Sequence, residues 1–306
     1  MRASTRASAM TDATLAVADV SPSRFHPLGR SKVLRRLLSH RLFMTGLCLF
    51  TLVLFMAVFA HVLAPHLPNE NHFRYRLGAP NRTFLLGTDG FGRDVLSRVI
   101  HGARVSLRIG LMVVLTNGIL GTLIGAGAGS VRTVDNIVMR VMDGLMAFPA
   151  ILLAIALAAT LGASELNAVI ALTIAYTPRT ARIVRASVLV VREQEYVQAA
   201  LAVGAGYLRV LFRHILANSM APLIVQLTFI FAVSVLAEAV LSFIGVGPPP
   251  PTPTWGNVIA EGRNYIREAP WISLFPGITI GVTVLGLNLL GDGLRDVLDP
   301  RMKVER

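Results

Sequence analysis

The chain has 306 residues, of which 54% are hydrophobic and 15% are charged, and its formal net charge is +12 at pH 7. A soluble domain carries about 25% charged residues, so this composition excludes an ordinary soluble domain and indicates a polytopic membrane protein. The excess positive charge does not indicate nucleic acid. The basic residues flank apolar runs, where they would contact anionic lipid, so membrane lipid is the expected partner.

Residues 1–30 are small and polar without sustained periodicity, which predicts a disordered cytosolic tail. Residues 31–65 contain the first predicted transmembrane helix, an uncharged run from Leu42 to Ala60 that is close to the roughly 20 residues needed to span a bilayer. A cleaved signal peptide is the alternative, but its apolar region would be only about 7 to 15 residues long. An uncleaved helix is therefore preferred.

Residues 66–104 form a predicted extracytoplasmic segment. Asp89 to Gly92 have turn chemistry, and a helix is expected to begin at Asp94. The following side chains would form an apolar edge with flanking arginines that lies on the outer surface. They are Val95, Val99 and Ala103, with Arg98 and Arg104.

The transmembrane core is predicted to occupy residues 105–300, followed by a cytosolic tail at 301–306. It holds five more predicted spans, which makes six transmembrane helices in an all-α membrane protein. Their apolar segments are Ile109 to Gly129, Val141 to Leu161, Leu166 to Tyr176, Ser219 to Phe243 and Ile272 to Leu290.

The helix that starts near Leu166 is short of apolar residues, so it is expected to run past Pro178 into water. Its arginines at 179, 182 and 185 would then reach the membrane surface. The turn before it is predicted at Ser164 and Glu165. Prolines at 149, 222 and 276 fall near span starts, where they are tolerated or mark a bend.

Glycines at four-residue spacing predict close helix packing. They are Gly121, Gly125 and Gly129 in the second span and Gly277 and Gly281 in the sixth. The run Pro248 to Pro251 predicts a stiff extended crossover, and Trp255 after it is a candidate membrane-interface anchor.

Orientation is predicted from basic residues. Residues 1–41 carry eight Lys or Arg, residues 178–218 carry six and residues 291–306 carry four, which places all three segments and both termini in the cytosol. Residues 65–104 also carry six arginines, but long loops are poorly governed by this rule.

Catalytic and metal chemistry find little support in the sequence. The two lysines, Lys32 and Lys303, do not stand in a Gly-Lys-Ser/Thr loop, so no ATP-binding P-loop exists. Ser164 is read as a turn residue and not as an intramembrane protease nucleophile. Irregularly spaced histidines at 61, 66 and 72 are read as interface residues and not as metal ligands.

Carboxylates inside apolar spans are costly, so Asp143 and Glu238 are candidates for a solute path or a subunit seam. The alternative is that each is a helix-end residue bonded to water or backbone.

An Ala-rich, basic segment, QEYVQAALAVGAGYLRVLFRHILANSMAP from Gln194 to Pro222, interrupts the spans. Ala200, Val203, Tyr207, Val210 and Leu211 draw an apolar stripe, with a break allowed at Gly204 to Gly206. Such a stripe is explained either by a helix lying on lipid or by a helix that inserts into a groove on a soluble partner.

This segment resembles the cytoplasmic "EAA" loop of ABC importer permeases, whose short helix docks onto an ATPase subunit. The matching residues are Gln198-Ala199-Ala200, Gly204 and RHILAN from Arg213 to Asn218. The chain departs from the motif at its acid, which is Gln198 with Glu195 three residues earlier, and at Ala217, where the motif has proline.

Three further segments are similar to the second permease subunit of dipeptide, oligopeptide and nickel importers. They are LGTDGFGRDVLSRVIHGARVSL, AEAVLSFIGVGPPPPTPTWG and NLLGDGLRDVLDPR. The resemblance implies a type I permease fold in the bacterial plasma membrane, with an ATPase-coupling loop at 192–218. The coupling residues would be Glu195, Gln198, Ala199, Ala200, Gly204 and Arg213, and Asn288 joins the path or seam candidates.

By this resemblance the chain is a transport subunit and not an enzyme. Its implied partners are a second homologous permease, two ATP-binding subunits that hold ATP and Mg²⁺, and an extracytoplasmic solute-binding protein. The expected substrates are dipeptides or oligopeptides, with nickel complexes or glutathione-like molecules as alternatives. An ion-coupled secondary transporter is the alternative from a different class, but only Asp143 and Glu238 offer buried acids and no internal repeat is visible.

Overall fold

The computed structural model describes residues 30–298, and this part of the chain is helical, with one isolated β-bridge between Thr88 and Asp94. The first six helices are α1 (Arg30–Ser39), α2 (Arg41–Val58), α3 (Ala60–Leu63), α4 (Val95–Ser130), α5 (Arg132–Met146) and α6 (Ala150–Leu161). The next six are α7 (Glu165–Arg192), α8 (Glu195–Ala202), α9 (Tyr207–Val210), α10 (Ala217–Ile244), α11 (Trp255–Gly262) and α12 (Trp271–Leu298). The predictions for 1–30 and 301–306 concern residues outside this range, apart from Arg30.

Four helices are long and apolar enough to cross a membrane: α2, α4, the continuous helix Tyr207–Ile244, and α12. The pair α5 and α6 makes a fifth if the two count as one bent span. The predicted all-α, multi-pass architecture is confirmed. The count of six spans stays a prediction, because arginines in the second half of α7 lower its hydropathy.

The third predicted span is not the continuous helix expected from Val141 to Leu161. The helix ends at Met146 and resumes at Ala150, and the two pieces meet at 90°. Pro149 explains the break, because the ring disfavours helical backbone in the residue before it.

The packing of α4 against α7 confirms the role predicted for the first glycine series. A Cβ on Gly121 would lie 2.6 Å from the Thr180 side chain, and one on Gly125 would lie 2.4 Å from the Ala181 carbonyl oxygen. Only glycine allows this approach. The second series was wrongly predicted, since a Cβ on Gly277 or Gly281 would meet nothing within 4 Å in the described residues.

The start of α4 is interior and not an outer edge. The helix begins beside Asp94, as the sequence predicted, and Asp94 caps it by accepting a hydrogen bond from the Ser97 backbone N–H at 3.0 Å. Val95, Val99 and Ala103, however, are buried in the core. The reason is that α11 packs across this part of α4, so the apolar edge meets protein.

Trp255 lies in the same core and is not a membrane-interface anchor. Its side chain is fully buried, and its indole Nε1 donates to the Val99 carbonyl oxygen at 3.0 Å. The indole ring contacts Gly102 of α4, where a Cβ would lie 3.0 Å from it. Tryptophan is here a core residue whose single donor is satisfied.

The turn predicted at Ser164 and Glu165 is confirmed. Ser164 is the N-cap of α7, with its hydroxyl accepting from the Asn167 backbone N–H at 3.1 Å. As predicted, α7 continues beyond Pro178 as far as Arg192.

Candidate functional site

Two short helices, joined by a turn, lie at the end of the molecule where α4 and α7 both end. We call α8 and α9 together the helix pair. Arg192, the last residue of α7, donates to the Gly129 carbonyl oxygen near the end of α4 at 3.2 Å, and α8 begins three residues later. The pair therefore lies about 50 Å from the start of α4, given 36 helical residues at 1.5 Å each.

The break predicted between Gly204 and Gly206 is present. Gly204 has a φ of +86°, a left-handed conformation that L-residues adopt only with strain. This turn folds α9 back beside α8.

The helix pair is attached to the long helices by buried apolar side chains. Val197 of α8 and Val210 of α9 are fully buried. They pack in one cluster with Val184 and Val188 of α7 and with Ile215 of the π-helical turn Leu211–Leu216. These contacts join the pair to α7 and to the turn that leads into α10.

The opposite side of the pair is exposed and apolar. Val203 is 85% exposed and Leu208 is 68% exposed. The predicted stripe is therefore divided, with Val210 and Leu211 packed inward and Val203 and Tyr207 facing outward. Burial raises the pKa of the Tyr196 phenol, so that side chain stays neutral on this surface.

The predicted coupling residues come together on this helix pair and the turn after it. Glu195, Gln198, Ala199, Gly204 and Arg213 are exposed, and Ala200 is half-buried. The Gln198 amide Nε2 donates to the Arg192 carbonyl oxygen at 3.0 Å, which caps the end of α7. An acid at this position could not make that bond, since a carboxylate is only an acceptor.

Ala217 lies in continuous helix. The π-helical turn Leu211–Leu216 runs into α10 without a break, so the bend that a proline would produce is absent. Single π turns inside α-helices are frequent at functional sites.

A long groove lies between α7 and α10, and we call it the α7–α10 groove. It consists of two cavities of about 290 Å³ and 680 Å³. Both are lined by Ile183, Gln226 and Phe229, so the two cavities adjoin each other. The smaller one extends to Arg179 and Arg182, and the larger one extends to Arg295 and Leu298 at the end of α12.

Of the three arginines of α7 that were predicted to reach the membrane surface, two pair with acids of α5 and the third lines the groove. Their position relative to the membrane stays a prediction. Arg185 forms a bidentate ion pair with Asp135 of α5, in which Nε donates to Oδ1 and Nη2 donates to Oδ2 at 2.6 Å. Arg182 makes a single contact, at 2.5 Å, with Asp143, and Arg179 lines the groove.

An ion cluster lies at the other end of the molecule, where the 66–94 segment meets α11. Arg98 is fully buried and donates to Asp89 Oδ2 at 2.8 Å and to Glu261 Oε1 at 3.1 Å. Arg93 donates to the same Asp89 oxygen at 2.7 Å and also contacts Glu261. Two guanidiniums and two carboxylates balance, which makes burial of these charges tolerable.

Sequence reasoning missed this cluster because Asp89 and Glu261 are 172 residues apart. The placement of Arg98 among Val95, Val99 and Ala103 was the available signal. An arginine on the apolar face of a helix that turns out to be covered requires an acidic partner.

The histidines after the first span stack on aromatic rings. His66 and His72 lie 5.4 Å apart between ring centroids, and His66 stacks on Phe84 at 5.0 Å. Across residues 30–298 no group of three His, Cys, Asp or Glu side chains is placed to hold a metal ion.

Comparison with known families settles what kind of protein carries these features. Residues 117–304 match the family model of the binding-protein-dependent transport system inner membrane component. Residues 30–80 match the N-terminal transmembrane domain of oligopeptide transport permease C. The chain belongs to the family of binding-protein-dependent ABC importer permeases.

Relatives agree with this assignment. A protein of Brucella abortus biovar 1 (strain 9-941), provisionally named as a peptide transport system permease, is 53% identical over 290 residues, covering 93% of this chain and 98% of its own length. A dipeptide transport system permease of Alkalihalophilus pseudofirmus is 43% identical, with coverage of 88% and 89%. The dipeptide transport system permease of Escherichia coli K12 is 45% identical, with coverage of 84% and 88%.

The permease is thus a transport subunit and not an enzyme, and ATP hydrolysis belongs to separate subunits. This finding sets aside the secondary-transporter and intramembrane-hydrolase alternatives. It also agrees with the exposed helix pair, which is a surface of the kind a soluble partner recognises.

The three path or seam candidates of the permease lie apart. Asp143 is 60% exposed and borders the α7–α10 groove through its contact with Arg182. Asn288 is half-buried on α12 and lines neither cavity of the groove. Glu238 is fully buried, accepts from the Ser242 hydroxyl at 2.6 Å and lines neither cavity of the groove, and its place on a path or seam stays a prediction.

Proposed function

We propose that the permease forms half of the translocation pathway of an ATP-driven peptide importer in the bacterial inner membrane. Its partners are a second related permease, two ATPase subunits and an extracytoplasmic solute-binding protein. ATP and Mg²⁺ bind to the ATPase subunits and not to this chain. Peptide is the proposed substrate because the relatives are named for peptide or dipeptide transport.

The observation that carries the proposal is the helix pair, which is anchored by Val197 and Val210 and exposes Val203 and Leu208. The exposed apolar side of the pair can bind a partner. Its buried side, which packs against α7 and the turn before α10, would pass a displacement of that partner to these helices. We propose that the exposed side inserts into a groove on the ATPase subunit. Closure of the two ATPase subunits would then move α7 and α10 together.

The proposed topology has six spans with both termini cytosolic. The spans are α2, α4, the bent pair α5 and α6, α7, the Tyr207–Ile244 helix and α12. This arrangement places the basic ends and the helix pair on the cytosolic side, as the positive-inside rule favours. The ion cluster and α11 then lie outside, where the solute-binding protein would dock.

The α7–α10 groove is the proposed wall of the pathway. It faces away from α4, because α7 residues that contact α4, among them Thr180, Ala181 and Val184, line neither cavity. Its larger cavity reaches the end of the molecule at which the helix pair lies, because its lining includes Val190 and Val191 near the end of α7, together with Arg295 and Leu298. A second permease opposite this groove would complete a passage.

The test is co-expression with neighbouring transport genes, purification in lipid, and measurement of ATP hydrolysis and peptide uptake. Val203→Asp puts a charge on the exposed apolar surface of the pair without touching its core. We expect loss of most co-purified ATPase subunit. The matched control is Leu85→Asp, which changes another exposed apolar side chain at the opposite end and should keep the ATPase bound.

Two results would contradict the proposal. One is a Val203→Asp complex that retains its ATPase subunits and full uptake. The other is a wild-type permease that purifies without ATPase subunits and transports without ATP. Competition by peptides, nickel salts and glutathione for uptake decides among the substrates of this family.

A further inference from the structure

The middle of α7 carries two guanidiniums that face open space. Arg179 is 14 residues from Glu165 and 13 from Arg192, which places it roughly 20 Å from either end of the helix. Arg182 follows one turn later, and both line the smaller cavity of the α7–α10 groove. In the proposed topology, in which α7 spans the membrane, charged side chains at this depth face a water-filled path or a partner and not lipid.

The charges in this cavity are not balanced. Arg185, the third arginine of α7, is paired with Asp135 and lies outside the cavity, so this pair does not change the charge of the cavity lining. Arg182 gives one bond to Asp143, and both of these side chains are more than half exposed. Arg179 makes no salt bridge with any residue between 30 and 298.

The rest of the cavity suits a small amphipathic molecule. Gln226 on α10 offers an amide that can both donate and accept, across from the arginines. Apart from Tyr176, the remaining wall is apolar and includes Met146, Phe229 and Val233. A volume of about 290 Å³ lies at the lower limit of ligand pockets, so it holds one end of a substrate while the adjoining 680 Å³ cavity holds the rest.

We propose that Arg179 and Arg182 bind the C-terminal carboxylate of a peptide as it passes along the groove. Guanidinium groups bind carboxylates through two parallel charge-assisted hydrogen bonds. The arriving carboxylate replaces Asp143 as the partner of Arg182, and its departure restores that pair. The inference rests on the proposed function, since it names the substrate group that the pathway contacts.

The experiment uses the full reconstituted importer with its solute-binding protein and measures peptide uptake per ATP hydrolysed. Arg179→Gln with Arg182→Gln should lower this ratio at least fivefold, while the subunits still co-purify and binding-protein-stimulated hydrolysis persists. The double lysine variant should recover part of the uptake, because charge remains but the planar fork is lost. Arg140→Gln, an exposed arginine of α5 that lines neither cavity of the groove, is the control and should match wild type.

A peptide with an amidated C-terminus separates carboxylate binding from a general role of the arginines. Both peptides are used at concentrations that saturate the binding protein. The wild type should then import more free-acid peptide than amidated peptide per ATP hydrolysed, and the double glutamine variant should import equal amounts of the two. Equal uptake per ATP in wild type and the double variant overturns the inference. So does release of the second permease, which would make the arginines a subunit contact, or an effect that disappears in neutral lipid.

Failure of this inference is distinguishable from failure of the proposed function. If wild type imports peptide with ATP and the double glutamine variant does so equally well, only the role of the arginines is wrong. If wild type fails to import peptide, the substrate assignment itself is wrong.

Discussion

Asp89 uses both of its carboxylate oxygens in the ion cluster. Oδ2 accepts from Arg93 and Arg98, and Oδ1 accepts the backbone N–H groups of Phe91 and Arg93. One buried side chain thus holds the turn before α4, the first turns of α4 and, through Arg98, α11. At the scale of the residue, this is where the outer end of the molecule depends most on charge.

Asp89→Asn is expected to destabilise the permease by about 3 kcal/mol, because removal of one partner leaves buried positive charge uncompensated. The midpoint of thermal unfolding in detergent should fall. Asp296→Asn is the control, since that carboxylate is 43% exposed and lies 3.4 Å from His40. Equal midpoints for Asp89→Asn and wild type would show that the cluster does not stabilise the fold.

Residue-scale chemistry also separates the two glycines of the helix pair. Gly204 has φ +86°, whereas Gly206 has φ −59° and nothing within 4 Å of an added Cβ. Gly204→Ala should therefore strain the turn by about 1 kcal/mol and weaken coupling of hydrolysis to uptake, and Gly206→Ala should not. Coupling ratios of the two variants, measured in the same lipid, check this; indistinguishable ratios would contradict it.

Helix packing explains how the elements keep their register. The α4 glycines meet small side chains and backbone of α7, and α2 meets α12 in the same way. A Cβ on Gly46 would lie 2.6 Å from the Leu290 backbone nitrogen, and one on Gly293 would lie 2.7 Å from the Phe43 Cβ. Two close-packed pairs therefore stand on either side of α10, which contacts α4, α7 and α12.

Gly125→Ala should lower stability by about 1 to 3 kcal/mol, since the new methyl group would overlap the Ala181 carbonyl oxygen. Gly127→Ala is a matched control two residues away on the same helix, where the nearest atom is 3.8 Å from an added Cβ. Thermal midpoints and yields of the two purified variants give the comparison. A Gly127→Ala defect as large as that of Gly125→Ala would show that helix flexibility, and not packing, is the cause.

At the scale of the whole molecule, the helix pair and the ion cluster occupy opposite ends of α4. A six-span topology requires them to face opposite sides of the membrane. Cys48 is the single cysteine, so a cysteine-free background needs one substitution. Leu85, near the ion cluster, and Leu208, on the helix pair, are both exposed and can each be replaced by cysteine to report which side of the membrane they face.

In that background, Leu85→Cys should react with a membrane-impermeant maleimide added to intact cells after the outer membrane is opened. Leu208→Cys should react only when the inner membrane is permeabilised as well. Labelling of both positions from the same side would refute the topology, and the family assignment would stand without it.

Local patterns in the sequence were sufficient for the features that one segment decides alone. The all-helical class, the helix start at Asp94, the turn at Ser164, the break at Gly204 and the α4 glycine series depend on residues within a few positions of one another. Length and hydropathy determine membrane spans for the same reason. The motifs at Gln198 to Asn218 and Leu86 to Leu107 indicated the family because each is a contiguous segment.

The tertiary structure decided which faces are covered. Trp255, Val99 and Glu238 were expected at surfaces or interfaces, yet all three are buried, because α11 folds back over α4 and α10. The pairing of Asp89 with Glu261 through Arg98 and the α7–α10 groove likewise join residues far apart in the chain. Burial is a property of the neighbours that a face acquires on folding, so composition and periodicity predict an apolar face but not what covers it.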